Sequence, residues 1–302
     1  MSKKIKSGFV AIVGRPNAGK STLVNALVGQ KVSIVSPKAQ TTRNNIIGIV
    51  NSSDYQIVFV DTPGQNSAKN GLDDYMQKSI KGAVSGVDCI VVAVDGSKQS
   101  LDAEKNIITK YLELNIPVIV AITKIDLLSQ EKIFKILANF GQIKGISDIV
   151  PISSIKNRNV DELLKVILNY LPEIDEEDKY FGDDEYTDKS LRFICSEIIR
   201  EKALYFLDKE IPHGIAVSIV SYKEEDGLTT VDAEIICEKE SHKNIVIGKG
   251  GSMLKKIGHE ARISFQKVIQ GKVDLHLWVR VKENWRDNIG FLNDIGYNNK
   301  EI

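Results

Sequence analysis

The octapeptide GRPNAGKS, residues 14–21, constrains the fold of this chain more than any other stretch. It follows the apolar run FVAIV, precedes the helical pattern STLVNALVGQ, and matches G-x-x-x-x-G-K-[ST] at every fixed position. Gly14 and Gly19 allow backbone N–H groups to turn inward around an anion, and the helix that begins there adds its positive dipole end. The sequence therefore predicts a phosphate-binding loop between a buried strand and a helix.

Apolar runs and helical patterns alternate through residues 1–172. The runs FVAIV, YQIVFVD, CIVVAVD, VIVAIT and DIVPIS are β-branched and nearly continuous in apolarity, which is typical of buried strands. Helical patterns lie between most of them, as in AEKNIITKYLELN and VDELLKVILNYL. This alternation predicts an α/β domain with a mainly parallel sheet and helices on both faces.

The composition changes after residue 172. Residues 173–188 carry nine acidic residues and one lysine, which predicts a solvated acidic linker. Residues 189–302 then show patterns in the order helix, strand, strand, helix, helix, strand. We therefore predict a second, smaller α+β domain with a C-terminal tail.

Composition excludes several classes of protein. The formal net charge is zero, so global charge indicates no particular partner. The three cysteines, Cys89, Cys195 and Cys237, are far apart and odd in number, which favours reduced thiols in a cytoplasmic protein over disulfides or a metal site. The N-terminus lacks the apolar segment of a signal peptide, and no run approaches the ~18 apolar residues of a membrane span.

Two motifs predict the phosphate chemistry. Lys20 would reach the outer phosphates, and the Ser21 hydroxyl is the kind of oxygen ligand that Mg²⁺ prefers. The motif DTPG ends the strand YQIVFV. There Asp61 can hold Mg²⁺ through water, and the Gly64 N–H can meet a γ-phosphate.

Two further motifs predict the base. TKID ends the strand VIVAI, and Asp126 can accept two hydrogen bonds from the N1–H and 2-amino groups of guanine, which adenine lacks. PISS ends the next strand, where backbone N–H groups of Ser153 and Ser154 could meet the guanine O6. Four motifs in this order, each at a strand's carboxyl end, indicate a GTPase.

The predicted nucleotide site draws on all four motifs. Its expected ligands are GTP or GDP with Mg²⁺, and its candidate contacts are Gly14, Arg15, Pro16, Asn17, Ala18, Gly19, Lys20, Ser21, Thr22, Asp61, Thr62, Pro63, Gly64, Gln65, Thr123, Lys124, Ile125, Asp126, Ser153 and Ser154.

A second glycine-lysine loop lies in IVIGKGGSMLKKI, residues 245–257. It lacks the spacing of the first loop and instead fits a G-x-x-G clamp between two helices, which lies close against a nucleic-acid backbone because glycine removes side-chain bulk. Residues 243–286 hold ten Lys and Arg against three Asp and Glu. The predicted RNA contacts are Ile247, Gly248, Lys249, Gly250, Gly251 and Lys255.

Nearly the whole chain resembles the Era GTPases, which join a P-loop GTPase domain to a C-terminal type II KH domain. The resemblance is carried by GRPNAGKST, KAQTTR, DTPG, TKID, IREKALYFLDKEIPHGIAV, IVIGKGGSMLKKIG and DLHLWVRVKENWRDN. It implies GTP hydrolysis, binding to the 3′ end of small-subunit ribosomal RNA, and assistance in maturation of the small ribosomal subunit. It also implies a cytoplasmic protein, expected as a monomer, that can associate peripherally with the inner face of the membrane.

The family pattern assigns roles between the first two motifs. Thr42 in KAQTTR aligns with the threonine that contacts both Mg²⁺ and the γ-phosphate. Lys20, Thr42, Asp61 and Gly64 are therefore the expected catalytic residues, with Ser21 and Thr42 as metal ligands.

This sequence departs from the pattern at three positions. Ala18 replaces the usual Val in the phosphate loop, a small change facing the helix side. Thr123 stands where most such GTPases have Asn, which predicts guanine specificity with altered loop bracing. Gln65 stands where many relatives have an apolar residue, and we favour a bystander role over water orientation.

Three alternatives remain open from the residues alone. Asn17 fits either a loop-bracing role or a K⁺ site beside the phosphates. The chain could be an RNA-binding assembly factor that senses GTP with negligible turnover. A small-molecule P-loop kinase is also possible, although TKID and PISS count against it.

Overall fold

The computed structural model describes residues 3–38, 40–65, 68–208 and 211–297. The first domain contains, in chain order, β1 (Lys4–Gly14), α1 (Lys20–Val28), β2 (Ile46–Asn51), β3 (Tyr55–Asp61), α2 (Gly71–Val84), β4 (Cys89–Asp95), α3 (Asp102–Leu112), β5 (Val118–Thr123), α4 (Gln130–Phe140), β6 (Asp148–Pro151), α5 (Val160–Leu168) and β7 (Glu173–Asp175).

The main sheet has the strand order β2-β3-β1-β4-β5-β6. The pairs β1–β3, β1–β4, β4–β5 and β5–β6 are parallel, as the five apolar runs predict. Their side chains alternate between two buried clusters: Val10 and Ile12 pack on one face, and Ala11 and Val13 on the other. The sheet therefore carries helices on both faces, with its loops at the carboxyl ends of the strands.

Two strands were not predicted from the sequence. β2 pairs antiparallel with β3 and comes from the end of the segment that links the first two nucleotide motifs. β7 pairs antiparallel with the first residues of β1. The helices α2 and α4 were also not singled out by the sequence pattern.

The acidic segment 173–188, predicted as a solvated linker, also contacts the main sheet, which the linker prediction did not include. Its first residues form β7, which pairs with β1. Farther along the segment, the Tyr186 carbonyl accepts from the Ile49 N–H (2.9 Å). The Asn51 side-chain amide donates to the carbonyls of Gly182 and Asp183. The acidic side chains face water, while the backbone of the segment bonds to the sheet edge. The charge of the segment therefore predicted its solvation but not its contacts with the sheet.

The second domain has the predicted order of elements. It consists of α6 (Leu191–Phe206), β8 (Ala216–Glu225), β9 (Leu228–Cys237), α7 (Glu240–Ile247), α8 (Ser252–Ile269) and β10 (Lys272–Val281), followed by the short helix α9 (Ile289–Asp294). Its sheet has the order β10-β9-β8, in which β10 is parallel and β8 antiparallel to β9.

An apolar cluster joins the two domains. It brings together side chains of α2 and side chains of the second domain: Leu72, Tyr75, Met76, Ala216, Ile236, Trp285, Phe291, Leu292 and Tyr297. Trp285 is fully buried, and its indole N–H donates to the Gly214 carbonyl (3.1 Å). None of the helices in the described ranges has the length and apolar character of a membrane span.

Candidate functional site

The loop between β1 and α1 has the backbone that a phosphate cradle requires. Gly14 and Gly19 have φ values of 144° and 89°, a region that other residues rarely adopt. A Cβ on Gly14 would lie 2.5 Å from the Ala93 carbonyl oxygen. Both glycines of the motif are therefore required by the fold as well as by the ligand.

Lys20 is buried at the bottom of this loop. Its ammonium group donates to the carbonyls of Gly14 (3.3 Å) and Arg15 (3.1 Å). Burial lowers the pKa of Lys20 to about 8, although the nearby Asp61 opposes this shift. A phosphate would supply a negative hydrogen-bond partner for this buried cation, which in the described part of the chain donates to carbonyls.

The predicted magnesium ligands meet beside Lys20. The hydroxyls of Ser21 and Thr42 are hydrogen-bonded to each other (2.7 Å). Asp61 is fully buried, and both of its carboxylate oxygens lack a protein hydrogen-bond partner within the described part of the chain. Burial raises the pKa of Asp61, and Lys20 acts in the opposite direction. An all-oxygen set with two unpartnered carboxylate oxygens fits Mg²⁺ and its bound water.

Ser33 joins this group without having been predicted. Its hydroxyl faces the Asp61 carboxylate, and the residue is 1% exposed. The Asn25 side chain holds the Ser33 backbone through bonds to its carbonyl and N–H. The sequence signal for this role was a polar residue placed between two apolar residues, Val32 and Ile34, which are both buried in the structure.

The DTPG segment contacts the phosphate loop through its backbone. A Cβ on Gly64 would lie 2.8 Å from the Pro16 Cα, so only glycine permits this approach. The Gln65 N–H donates to the Gly14 carbonyl (3.1 Å). The Thr62 hydroxyl donates to the Ile12 carbonyl (2.8 Å) and therefore holds β1 rather than pointing toward a nucleotide.

The Gln65 side chain points away from the phosphate loop. Its amide donates to the hydroxyl of Tyr111 on α3, and Tyr111 is buried. This arrangement favours the bystander role over the orientation of water.

Thr123 braces the phosphate loop from β5. Its hydroxyl donates to the Ala18 carbonyl (2.8 Å), with the Val94 carbonyl 3.1 Å away. Thr123 thus provides a loop contact from a position where most such GTPases have Asn.

Lys124 and Asp126 take different roles at the same edge of the sheet. The Lys124 ammonium pairs with the Asp95 carboxylate (2.7 Å), while the residue lines the same cavity as Lys20. The Asp126 carboxylate accepts from the Ser153 hydroxyl (2.6 Å). A residue just beyond the end of β6 thus fixes the orientation of the Asp126 carboxylate.

The structure corrects one expected base contact. The Ser153 N–H donates to the Arg158 carbonyl (3.0 Å) across an isolated bridge, so it is not free for the guanine O6. Ser154 remains as the candidate N–H donor. The pairing of Ser153 with Arg158 closes a turn that could not be predicted from the motif PISS.

Eight of the twenty predicted nucleotide contacts, together with Thr42, line one cavity of about 210 Å³: Pro16, Asn17, Gly19, Lys20, Ser21, Thr22, Gly64 and Lys124. Arg15 instead lies near the buried Glu104 of α3, with 3.7 Å between the charged groups. Ile125 packs in the core.

The second loop joins α7 to α8 and forms one wall of a cleft. Gly248, Gly250 and Gly251 have φ values of 74°, 60° and 78°, and Lys249 is exposed. The cleft, of about 460 Å³, lies between α8 and β10 and is lined by Gly250, Gly251, Leu254, Lys255, Gly258, His259, Arg262, Asp274, Leu275 and Leu277. His259 and Arg262 were not predicted, although both lie one helical turn apart on α8.

We expect Gln65→Leu to change the single-turnover rate of GTP hydrolysis by less than about threefold, because its amide is engaged with Tyr111. Tyr111→Phe serves as the matched control, since it removes the same hydrogen bond from the other side. A loss of about a hundredfold with intact GTP affinity would mean ~2.7 kcal/mol of lost transition-state stabilisation and would contradict the bystander role.

Two family models match this chain. One, described as "50S ribosome-binding GTPase", matches residues 9–124, and the other, described as "KH domain", matches residues 210–286. GTPase Era of Clostridium kluyveri is 47% identical over 294 residues, covering 97% of this chain and 99% of that protein. GTPase Era of Clostridium acetobutylicum is 45% identical over 292 residues, covering 97% and 98%.

Solved structures agree over both domains. Era in complex with MgGDPNP and nucleotides 1506–1542 of 16S ribosomal RNA has a TM-score of 0.92 to this chain at 39% identity, covering 97% of this chain and 99% of that one. An Aquifex aeolicus Era variant bound to GDP and AlF4⁻ gives the same TM-score, identity and coverage. Given this likeness over nearly its full length, the chain belongs to the GTPase Era family.

Proposed function

We propose that this GTPase is a GTP-hydrolysing switch that binds the 3′ end of small-subunit ribosomal RNA and assists maturation of the small ribosomal subunit. The observation that carries the proposal is the closed oxygen cluster of Ser21, Thr42 and Asp61 in a chain that also presents a G-x-x-G cleft. The first feature suits phosphoryl transfer to water, and the second suits single-stranded RNA.

The phosphate chemistry depends mainly on position and charge. Lys20 would neutralise the outer phosphates, and the Gly64 N–H would meet the γ-phosphate oxygen. Mg²⁺, when bound through Ser21, Thr42 and water on Asp61, neutralises charge that develops on the phosphates. Contact with the γ-phosphate would further stabilise Thr42 in this position, which makes Thr42 the proposed sensor.

The RNA assignment draws on the cleft and on a relative. In the cleft, glycines allow a close backbone approach while Lys255 and Arg262 supply positive charge. Leu254 and Leu275 offer an apolar wall for unstacked bases. The solved Era complex holds both MgGDPNP and nucleotides 1506–1542 of 16S ribosomal RNA, which supports the same two ligands for this chain.

Finer statements come from the family resemblance. We propose the small ribosomal subunit as the partner, although the broader GTPase model carries a 50S description, because the Era relative that matches nearly the full chain was solved with 16S RNA. A cytoplasmic monomer with peripheral membrane contact at the inner face is proposed on the resemblance alone.

For Asn17 we propose loop bracing rather than a K⁺ site. Its side-chain amide donates to the Pro37 carbonyl (2.9 Å) and so links the phosphate loop to the segment that carries Thr42. This contact accounts for the residue without a cation.

Asp126→Asn should lower GTP affinity by on the order of 100-fold, since two hydrogen bonds from guanine to a charged acceptor are lost. Affinity for xanthosine triphosphate should rise, because its 2-oxo group suits an amide donor. Nucleotide competition measures both. Ser153→Ala is the control and should keep the preference for GTP, whereas unchanged GTP affinity in Asp126→Asn would refute Asp126 as the base selector.

Replacing Lys249 and Gly250 with Asp should lower RNA affinity by more than about 30-fold, because negative charge is placed beside phosphates. Filter binding with a 16S 3′-end RNA measures the change, and GTP binding should persist. The matched control replaces Lys267 and Gln270 with Asp. It makes the same change in charge at the far end of α8, and Gln270 also has a positive φ. Equal RNA affinity in both variants would contradict the cleft assignment.

If Asn17 only braces the loop, GTP turnover in K⁺ and in Na⁺ at equal ionic strength should agree within about twofold. Turnover several-fold faster in K⁺, with the difference abolished in Asn17→Gly, would show that a cation acts at this position instead.

A further inference from the structure

The segment that carries Thr42 is held by a helix of the KH domain. We call residues 31–38 and 40–43 the switch segment. The Lys31 ammonium pairs with the Glu201 carboxylate of α6 (2.6 Å), and the Val35 N–H donates to the same carboxylate (3.0 Å). Arg200, the preceding residue of α6, donates from its guanidinium to the Thr41 carbonyl.

Arg200 is an unusual residue to find at such a place, because it is only 1% exposed. Burial acts to lower its pKa, but the neighbouring Glu197 carboxylate outweighs this and raises the pKa, so the guanidinium stays charged. The Nε of Arg200 donates to Glu197 (2.8 Å). Burying this charged pair is costly unless its remaining hydrogen bonds are made, and the Thr41 carbonyl supplies one of them.

The Thr41 carbonyl belongs to the peptide unit that precedes Thr42. The orientation of this peptide sets the direction in which the Thr42 backbone leaves it, and Thr42 places its hydroxyl 2.7 Å from the Ser21 hydroxyl. A donor fixed on the Thr41 carbonyl therefore restricts Thr42 to the position that closes the magnesium site.

On the C-terminal side of Thr42 the contact runs the other way, from an arginine of the GTPase domain to acceptors in the KH domain. Arg43 is 2% exposed and donates to the KH-domain carbonyls of Ile215 (2.6 Å) and His213 (3.1 Å). Its guanidinium lies 5.7 Å from the centre of the Trp285 ring. Thr42 is thus fixed between one arginine from each domain.

We propose that Arg200 is a positioning residue for GTP hydrolysis, acting from the KH domain through the Thr41 carbonyl on Thr42. The inference rests on the proposed function of Thr42 as the contact to Mg²⁺ and the γ-phosphate. Nucleotide affinity comes mainly from the phosphate loop and Asp126. Loss of Arg200 should therefore slow the chemical step more than it weakens binding.

The test compares the full-length wild type with Arg200→Met, Arg200→Lys and the control Arg192→Met. Arg192 lies on the same helix and also donates to a carbonyl, that of Ile219, but within its own domain. In single-turnover hydrolysis we expect Arg200→Met to be at least about tenfold slower, with GTP affinity changed by less than about threefold. Arg200→Lys should recover part of the rate, and Arg192→Met should match the wild type.

A second readout does not depend on turnover. With a non-hydrolysable GTP analogue bound, a lysine-specific protease should cut after Lys31 and Lys38 several-fold faster in Arg200→Met than in Arg192→Met. If Arg200→Met does not fold, as judged by circular dichroism, Glu197→Gln takes its place. Glu197→Gln weakens the hydrogen bonds that hold the Arg200 guanidinium. It should therefore also slow hydrolysis and speed proteolytic cleavage, but by smaller factors.

The outcomes separate the two claims. Hydrolysis and cleavage rates in Arg200→Met within twofold of Arg192→Met would overturn the positioning role, provided that Thr42→Ala still abolishes hydrolysis. A rate unaffected by Thr42→Ala would instead contradict the role of Thr42 under the proposed function. A slower rate explained wholly by weaker GTP binding would also overturn the inference.

Discussion

Two buried guanidinium groups cross the boundary between the domains in opposite directions, one on each side of Thr42. A buried arginine is tolerated only where acceptors replace water, and here those acceptors are carbonyls and one carboxylate in fixed positions. For Arg43, burial lowers the pKa because its acceptors are mostly neutral. Sliding the domains would break the bonds to the Thr41, Ile215 and His213 carbonyls, although Arg200 would keep its pairing with Glu197 within α6. The relative position of the two domains is therefore specified by the segment that also completes the nucleotide site.

The nucleotide site has the opposite electrostatic character. Lys20 is buried against carbonyls, with its pKa lowered to about 8, and the Asp61 oxygens have no hydrogen-bond partner among the residues that the structure describes. Phosphate and Mg²⁺ are the groups that would satisfy both, so the polypeptide alone leaves the site electrostatically incomplete. At the domain interface the two guanidinium groups donate to acceptors of the protein itself, whereas phosphate and Mg²⁺ would satisfy the nucleotide site. This difference lets nucleotide binding change the switch segment while the cores of both domains stay intact.

Local patterns were sufficient to predict the parallel strands, the phosphate loop and the order of elements in the second domain. Glycine spacing and apolar periodicity are carried by neighbouring residues, so they are visible in the sequence. Contacts between distant residues are not. Lys31 and Glu201 are separated by 170 positions, and the bonds of Gln65 to Tyr111 and of Ser153 to Arg158 depend on how helices and turns fold back. The sheet contacts of the acidic segment were not predicted for the same reason, because its backbone partners lie on strands far away in the chain.

The central claim is that the switch segment and α6 behave as one unit when GTP closes the site. Hydrogen–deuterium exchange of the full-length protein, measured with a GTP analogue and Mg²⁺ and again with GDP, tests this most directly. The account predicts that the analogue slows exchange in the switch segment and in residues 191–206 of α6 together. Slower exchange confined to the switch segment, with α6 unchanged, would contradict it.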